Sequence, residues 1–255
     1  MPEYKVLGAT QVRSGDRDRT PTPAKVRQVL ALLLLRGNQV VHIDAFIDEL
    51  WGADSPRTAV TTAQTYVYQL RKSFARDEVM EPGRRWLLTR PPGYILLLEP
   101  GELDAEVFES TVKTARKLLE NGRPEEAEPM LRRALGLWTG PALADVTKGR
   151  QLSAHAVHLE EERVRALELC VQAGFTLGRS RELVGELRSL TVRYPLNEWF
   201  HGQLMRALAD CGRRSESLDV YHNLRMLLDE ELGLAPSEEI KRIQHRILNE
   251  LPLRA

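Results

Sequence analysis

One face of a predicted helix within residues 54–76 carries hydroxyl, amide and cationic side chains and no acid. At about 100° per residue, this face holds Thr58, Thr61, Thr62, Thr65, Tyr68, Gln69, Lys72 and Arg76. The opposite face is an apolar stripe with the period of a helix resting on a core, formed by Val60, Ala63, Val67, Leu70 and Phe74. Hydroxyls and amides can read base edges and cations can hold phosphates, so the pattern indicates a helix suited to a DNA groove. Taken alone, the pattern also fits an ordinary solvated face.

Length and composition predict a globular protein with two domains. The 255 residues exceed the usual span of one core, and 42% hydrophobic with 28% charged residues is typical of globular chains. No apolar run approaches about 18 residues, and the N-terminus lacks the pattern of a secretory signal. Cys170 and Cys211 make no disulfide framework and suit small core positions. We therefore expect a cytoplasmic protein.

The net charge of zero is the sum of two unlike halves. Residues 1–98 hold 14 Lys or Arg and 10 Asp or Glu, a net charge of +4, and residues 99–255 carry the compensating −4. This sign of asymmetry favours an N-terminal module that binds a polyanion.

The elements that would position the polar helix are three short strands, two further helices and a hairpin. The strands are predicted at 4–7, 11–13 and 17–20, and the hairpin strands at 86–89 and 94–97. The helices are predicted at 23–36, at 43–51 and, after a loop over 53–57, within 54–76. Thr22 is the expected N-cap of the first helix, and Gly52 ends the second. The hairpin turn over residues 90–93 carries Arg90 at its tip and is a candidate wing.

From Leu103 onward the pattern changes to helices alone, separated by Gly and Pro breaks. The Gly-Arg turns at 178–179 and 212–213 stand 34 residues apart, the period of tetratricopeptide helix pairs. Another Gly-Arg turn at 122–123 lies off that period, so we expect an irregular insertion near 138–155. Pro100-Gly101 is the expected hinge between domains at 1–98 and 103–255.

The meander, three helices and hairpin resemble the winged helix-turn-helix of OmpR-type response regulators. Arg71-Lys72 match that group's recognition helix and residues 89–94 match its wing. With the tetratricopeptide-like second half, nearly the whole chain resembles a small member of the Streptomyces antibiotic regulatory protein family, also called AfsR/SARP. The segments that carry the resemblance are 25–34, 49–52, 61–71 and 93–94, with 221–225 and 230–237 resembling the end of a bacterial transcriptional activation domain. The implied fold class is an α+β winged helix-turn-helix followed by an all-α tetratricopeptide-like domain.

The resemblance implies a transcriptional activator. Such a protein binds double-stranded promoter DNA at direct repeats near the −35 element, contacts RNA polymerase and switches on secondary-metabolite (antibiotic) genes. Direct repeats require a homodimer arranged head to tail on DNA, because a twofold dimer matches a palindrome. We expect neither a receiver domain before the first sheet nor an ATPase extension after the helices, and therefore expect supply of the protein to set its activity. The residues also leave open a protein-interaction scaffold whose basic half is incidental.

By this resemblance the third helix enters the major groove. Its base-edge or adjacent phosphate candidates are Thr61, Thr62, Gln64, Thr65, Gln69 and Arg71, and its backbone-positioning candidates are Tyr68, Lys72 and Arg76. Gln64 and Arg71 lie nearest the buried stripe. Gln can pair with adenine and Thr methyls can pack on thymine, so A·T-rich half-sites are expected.

The wing supplies a second set of DNA contacts, for which the candidates are Arg84, Arg85, Thr89 and Arg90. Arg90 would reach the minor groove or a phosphate, because a narrow groove attracts cations. Arginines that only solubilise the turn are the alternative.

The loop before the third helix corresponds to the polymerase-contact loop of OmpR-type proteins. Its residues are Trp51, Gly52, Ala53, Asp54, Ser55, Pro56 and Arg57. A capping loop is the alternative, with Asp54 or Ser55 as the N-cap and Pro56 in the first helical position. Trp51 suits the core better than a contact.

Motifs for catalysis and metal binding are missing from the sequence. The six histidines form no HExxH pair and have no CxxC companion. His155 and His158 can share a helix face, but no third ligand lies within local reach. The sequence also lacks GxGxxG, GxxxxGK[ST] and GxSxG. We expect no enzyme activity, no metal and no cofactor.

Overall fold

The computed structural model describes residues 2–75 and 86–249. The strands are β1 (Pro2–Lys5), β2 (Gln11–Ser14), β3 (Arg17–Asp18), β4 (Val40–His42), β5 (Leu87–Arg90) and β6 (Gly93–Leu96). The helices are α1 (Ala24–Leu35), α2 (Ile43–Trp51), α3 (Ala59–Ala75), α4 (Asp104–Glu120), α5 (Pro124–Leu135), α6 (Arg150–Thr176), α7 (Ser180–Arg193), α8 (Glu198–Asp210), α9 (Arg214–Leu232) and α10 (Glu238–Leu248). Contacts divide the chain into unit 1, residues 1–115 with 130–166, and unit 2, residues 116–129 with 167–255.

Unit 1 holds two antiparallel sheets. One is the meander β1-β2-β3, and the other has the order β4-β6-β5. The predicted strands and hairpin are confirmed with ends within two residues, and the hairpin turn is shorter because Arg90 pairs with Gly93. The sequence did not predict β4, a strand of three residues that is defined by its pairing with β6.

Gly93 is required by the close approach of β4. A Cβ at this position would lie 1.9 Å from the carbonyl oxygen of Val41 and 2.8 Å from Cα of His42. A side chain would therefore push β4 and β6 apart. The neighbouring Pro92 carbonyl accepts the backbone N–H of Ile43 at 3.2 Å, so the wing turn is tied to the first residue of α2.

Helices α1, α2 and α3 form the apolar core beside these sheets. Residues 29–34 of α1 are all buried, so this helix packs on nearly every side. The predicted stripe on α3 is confirmed for Ala63, Val67, Leu70 and Phe74. For Val60 it is wrong, because Val60 is 46% exposed. Ala59 takes the core position instead, one turn before Ala63.

The starts of α1 and α3 rule out the caps that the sequence suggested for them. Pro23, not Thr22, is the N-cap residue of α1, and no side chain caps this helix. Helix α3 begins at Ala59, so Asp54 and Ser55 lie too far before it to be its N-cap, and Pro56 is not its first residue. The carbonyl of Pro56 instead accepts the N–H of Ala59 at 2.9 Å.

The irregular segment between α5 and α6 packs on the N-terminal meander of unit 1. The N–H groups of Thr139 and Leu143 donate to the carbonyls of Leu7 at 2.8 Å and Val6 at 2.9 Å. The predicted insertion near 138–155 is therefore confirmed in its first part only, because α6 already begins at Arg150.

The first residue of α4, Asp104, joins that helix to the same meander. Its buried carboxylate accepts the N–H of Val6 at 2.9 Å and that of Leu7 at 3.1 Å. Burial raises the pKa of Asp104 above its ordinary value, and these two hydrogen bonds act in the opposite direction.

Unit 2 contains α7–α10, and its Gly-Arg turns share one geometry. Gly122, Gly178 and Gly212 have φ of 69°, 73° and 75°, the left-handed region in which glycine is favoured. The arginine N–H that follows each glycine donates, at 2.9 Å, to the carbonyl five residues earlier. All three turns therefore end their helices by the same C-terminal motif, although 122–123 lies off the 34-residue period. Cys170 is buried as expected, whereas Cys211 is only half-buried.

The division into units does not follow the predicted hinge at Pro100-Gly101, because it falls within α4, α5 and α6. The N–H of Tyr4 donates to the carbonyl of Glu102 at 2.7 Å within unit 1. Independent folding of residues 1–98 therefore stays a prediction. None of the helices in residues 2–75 and 86–249 has the length and apolar character needed to cross a membrane.

Candidate DNA-binding surface

Helix α3 presents a polar face that we call the recognition face, made of Thr61, Thr62, Gln64, Thr65, Tyr68, Gln69 and Lys72. All seven side chains are exposed except that of Thr62, which is half-buried. Gln64 is thus accessible although the helical spacing placed it near the buried stripe. Lys72 forms no ion pair with any residue in the described part of the chain, so its charge is available to a phosphate.

One hydroxyl of the recognition face is already engaged in the helix. Thr65 Oγ1 donates to the carbonyl of Thr61 at 2.9 Å. The hydroxyl oxygen of Thr65 can still accept a hydrogen bond, and its methyl group is available for an apolar contact with a thymine methyl. As a donor to a base, Thr65 would first have to release its backbone partner.

Arg71 points to the wing and is half-buried. Its Nη2 donates to the carbonyl of Leu87 at 3.2 Å and to the hydroxyl of Thr89 at 3.0 Å. Its guanidinium also lies 5.5 Å from the ring centre of Tyr94. Two predicted DNA-contact residues, Arg71 and Thr89, therefore bind each other.

The wing itself ends in an exposed cation. Arg90 is the last residue of β5, and a turn of Pro91 and Pro92, joined by a cis peptide bond, connects it to β6. Arg90 is exposed and forms no ion pair with any residue of the described ranges. Three further predicted DNA-contact residues, Arg76, Arg84 and Arg85, lie outside the described residues.

Aromatic pairs hold α3, α2 and the wing together. Trp51 stacks on Tyr66 of α3 with a ring-centre distance of 6.5 Å and an interplanar angle of 24°. Phe74 of α3 meets Trp86, directly before β5, edge to face at 4.5 Å. Such pairs add about 0.5–1.5 kcal/mol each beyond area burial, so α3 and the wing form one scaffold. Trp51 is half-buried, which agrees with a mainly structural role.

The predicted polymerase-contact loop is exposed from Gly52 to Arg57. Gly52 ends α2 with φ 57°, and its N–H donates to the backbone carbonyl of Asp48 at 2.8 Å. The N–H of Asp54 donates to the backbone carbonyl of Trp51 at 3.2 Å. These bonds fix the start of the loop and leave the side chains of Ala53, Ser55 and Arg57 on the surface. The capping explanation for this loop is wrong, because α3 starts later than that explanation requires.

The sequence did not reveal a role for Glu49, which is only 3% exposed. Its carboxylate accepts backbone N–H groups from Gly149 at 2.6 Å and Gln151 at 2.7 Å, at the start of α6. A carboxylate is favoured at a helix N-terminus, where N–H groups have no intrahelical partner. The available signal was its position, because Glu49 lies with Phe46 and Leu50 on the i, i+3, i+4 stripe where an apolar residue is expected.

The histidines and acids of the described residues form no group of three or more metal-ligating side chains. His158 Nε2 lies 3.4 Å from a carboxylate oxygen of Glu109, and both side chains are partly exposed. Burial, followed by the positive charge of Arg36, lowers the pKa of the half-buried His155. His155 and His158 lie one turn apart on α6.

Comparisons with known proteins agree with this arrangement of domains. Residues 18–96 match the C-terminal domain of transcriptional regulatory proteins, and residues 103–248 match the bacterial transcriptional activator domain. The predicted winged helix-turn-helix followed by a helical domain is confirmed.

Relatives cover the chain from end to end. It is 36% identical to the regulatory protein DnrI of Streptomyces peucetius over 98% of this chain and 93% of DnrI. It is also 36% identical to the regulatory protein AfsR of Streptomyces coelicolor over 98% of this chain, which spans 24% of AfsR. The structure of Mycobacterium tuberculosis EmbR in complex with a low-affinity phosphopeptide matches with a TM-score of 0.90 and 30% identity, over 99% of this chain and 66% of that one. The relatives are regulators by name, and the chain belongs to the AfsR/SARP family of transcriptional regulators.

Proposed function

We propose that this protein is a sequence-specific DNA-binding activator that works in the cytoplasm. The observation that carries the proposal is the recognition face of α3, which is exposed, free of acids and held beside a wing that ends in Arg90. A helix of this composition can read base edges, and the cations on either side can position it on phosphates. Because the chain belongs to the AfsR/SARP family, we propose that its targets are secondary-metabolite genes.

Two protomers on direct repeats would stand head to tail, because tandem sites repeat by translation while a twofold dimer requires a palindrome. Each protomer would place α3 in the major groove and Arg90 in the adjacent minor groove or on a phosphate. The four exposed threonine and glutamine side chains of the recognition face favour A·T-rich half-sites, since Gln pairs with adenine and Thr methyls contact thymine.

A binding experiment tests DNA reading. The affinity of the full chain for promoter DNA with tandem repeats is compared with its affinity for a scrambled duplex, by fluorescence anisotropy across a salt series. A reader of bases loses affinity steeply with salt and keeps its preference for the repeats. Equal affinity for both duplexes would remove the claim of base reading. A protein-interaction scaffold would show neither the salt dependence nor the preference.

Two single variants separate the two kinds of contact. Arg90→Ala should weaken binding to every sequence, because a wing cation contacts the backbone or groove without reading a base. Gln69→Ala should instead relax the preference at one or two positions of the site, since one amide side chain reads one base pair. An unchanged site profile for Gln69→Ala would show that the reading face lies elsewhere on α3.

The exposed loop from Gly52 to Arg57 is proposed to contact RNA polymerase once α3 is bound. Its side chains lie on the surface without a capping role, which favours an external partner. The double substitution Asp54→Ala with Arg57→Ala should leave DNA affinity unchanged and reduce activated transcription in a purified polymerase assay. The matched control removes an exposed cation and acid from α9, Arg225→Ala with Asp229→Ala, and should leave both quantities unchanged. Loss of DNA affinity in the loop variant would contradict a polymerase contact.

A further inference from the structure

Among the described cations predicted to contact DNA, Arg71 differs from Lys72 and Arg90, because its side chain is satisfied within the protein. Lys72 and Arg90 are exposed, whereas Arg71 is half-buried between α3 and the wing. One nitrogen of its guanidinium, Nη2, donates to both the Leu87 carbonyl and the Thr89 hydroxyl. A planar guanidinium that donates twice and faces an aromatic ring is held in one orientation.

The partners of Arg71 are placed where they set the position of Arg90. Leu87 and Thr89 belong to β5, which lies at the edge of the order β4-β6-β5 and, among the described strands, pairs with β6 alone. The Leu87 carbonyl thus gains a partner from α3 that no strand within residues 2–75 and 86–249 supplies. Thr89 directly precedes Arg90, so the contact acts at the end of the strand that carries the exposed cation.

Tyr94 extends the same contact into the scaffold. Its ring, which faces Arg71, also meets Phe46 of α2 edge to face, with a ring-centre distance of 6.1 Å. Arg71 therefore connects its own helix, α3, directly to the wing and, through Tyr94, to α2. A change in the orientation of Arg71 would therefore move the wing relative to α3, and would not affect the surface of α3 alone.

From these contacts we infer that Arg71 is a positioning residue, which sets the distance between the recognition face and Arg90 so that both reach one DNA site. This inference rests on the proposed function. It assigns Arg71 a role through Thr89 and Arg90 instead of a direct contact with a base or a phosphate. If the wing loses this support, Arg90 no longer lies at a fixed place and contributes less to binding.

A double-mutant cycle on the full chain tests the inference, because residues that act through each other give non-additive effects. With tandem-repeat DNA, Arg90→Ala should weaken binding by about tenfold in the native background, the loss of one charged contact. In the Arg71→Ala background the same substitution should cost less than about threefold. The matched control is Lys72→Ala, which removes the adjacent exposed cation of α3. In this background Arg90→Ala should still weaken DNA binding by the full tenfold.

Two further variants separate positioning from charge and from misfolding. Arg71→Lys keeps a cation but lacks the planar fork, so it should still reduce the cost of Arg90→Ala. Thr89→Val removes the hydroxyl acceptor and no charge, and should reduce that cost in the same direction even where Arg71→Ala fails to fold. Thermal unfolding of each variant shows which of them are folded.

The outcomes are distinct. Additive effects of Arg71→Ala and Arg90→Ala, or full recovery of binding by Arg71→Lys, would show that Arg71 contacts phosphate directly and would overturn the inference. If the native protein itself binds tandem-repeat DNA no better than scrambled DNA, the proposed function is overturned instead. Reduced cost of Arg90→Ala in all three variants, with preference intact in the native protein, supports the positioning role.

Discussion

Helices α3 and α9 are both long and amphipathic, but their exposed sides differ in charge. Each is a long helix that buries one side, α3 through Val67 and Leu70, and α9 through Leu224 and Leu228. The 17 residues of α3 include no acid, whereas the 19 residues of α9 include Glu216, Asp219, Asp229, Glu230 and Glu231. Carboxylates repel phosphates, so the solvent side of α9 is unsuited to DNA and that of α3 is not. An apolar stripe shows that a helix packs on a core, and the charges on its solvent-exposed face determine which partners that face can bind.

The cations of the two regions also differ in their partners. Arg188 and Arg213 of unit 2 both pair with Glu216, at 2.6 and 2.7 Å. The hydrogen bond from Arg213 holds the pKa of the Glu216 carboxyl below its ordinary value. Lys72 and Arg90 have no such acid among the described residues. Exposed ion pairs contribute little to stability, so this difference concerns binding more than folding.

The largest effect should come from disturbing the support of the wing. Gly93→Ala would place a Cβ 1.9 Å from the Val41 carbonyl oxygen. We expect a loss of about 3 kcal/mol in the free energy of unfolding, at the upper end of overpacking costs. Gly185→Ala in α7 is the matched control, because no atom lies within 4 Å of its added Cβ. This exposed helical site should gain about 0.5–1 kcal/mol. Equal urea midpoints for the two variants would contradict the tight packing of β4 against β6.

Charge reversal on each helix tests the comparison directly. Lys72→Glu on α3 removes a phosphate partner and adds a repelling charge, so the dissociation constant for tandem-repeat DNA should rise by about 30-fold, or 2 kcal/mol. Arg225→Glu makes the same change on the exposed side of α9 and should leave the constant unchanged. Anisotropy titrations at one fixed salt concentration measure both. Similar losses in the two variants would mean that α3 and α9 share one electrostatic surface.

Buried acids of unit 1 act differently from the exposed acids of α9. Glu49→Gln replaces one carboxylate oxygen with an NH₂ group that cannot accept the N–H groups at the start of α6. The free energy of unfolding should fall by about 1–2 kcal/mol, the range for a charge-assisted bond at a buried site. Glu230→Gln on the exposed side of α9 should change it by less than about 0.5 kcal/mol. Chemical denaturation of both variants decides the point.

The sequence predicted those parts of the fold that depend on local periodicity. The core stripe of α3 from Ala63 to Phe74 follows from spacing alone, and the Gly-Arg turns follow from residue type. The error at Val60 has the same local origin, since the spacing fixes a stripe and does not show where the helix begins. Ala59 and Val60 are both apolar, and only the observed start at Ala59 decides between them.

Features that depend on distant residues could not be predicted in this way. Strand β4 is too short for an alternating pattern and exists through its pairing with β6, more than fifty residues later. Helical spacing placed Arg71 near the buried stripe. It could not identify Thr89 as the partner, because that hydroxyl lies 18 residues away in the sequence. The contact of Glu49 with Gly149 spans 100 residues. Packing of this kind requires the folded chain.

The smallest effect should be a pH dependence of stability that originates in unit 2 and leaves the recognition face of α3 intact. Burial lowers the pKa of His201 below its ordinary value of 6.5, while the contact of Nε2 with the Pro195 carbonyl at 3.0 Å acts in the opposite direction. The unfolded chain therefore binds the proton more readily than the folded chain, so this group's contribution to stability is present above pH 6.5 and is lost as the pH falls below it. Melting temperatures of the native protein and His201→Gln from pH 8 to 5 isolate the effect, because other titrating groups are common to both. The native protein should lose more stability on acidification than the variant, and parallel curves would show that His201 titrates alike in both states.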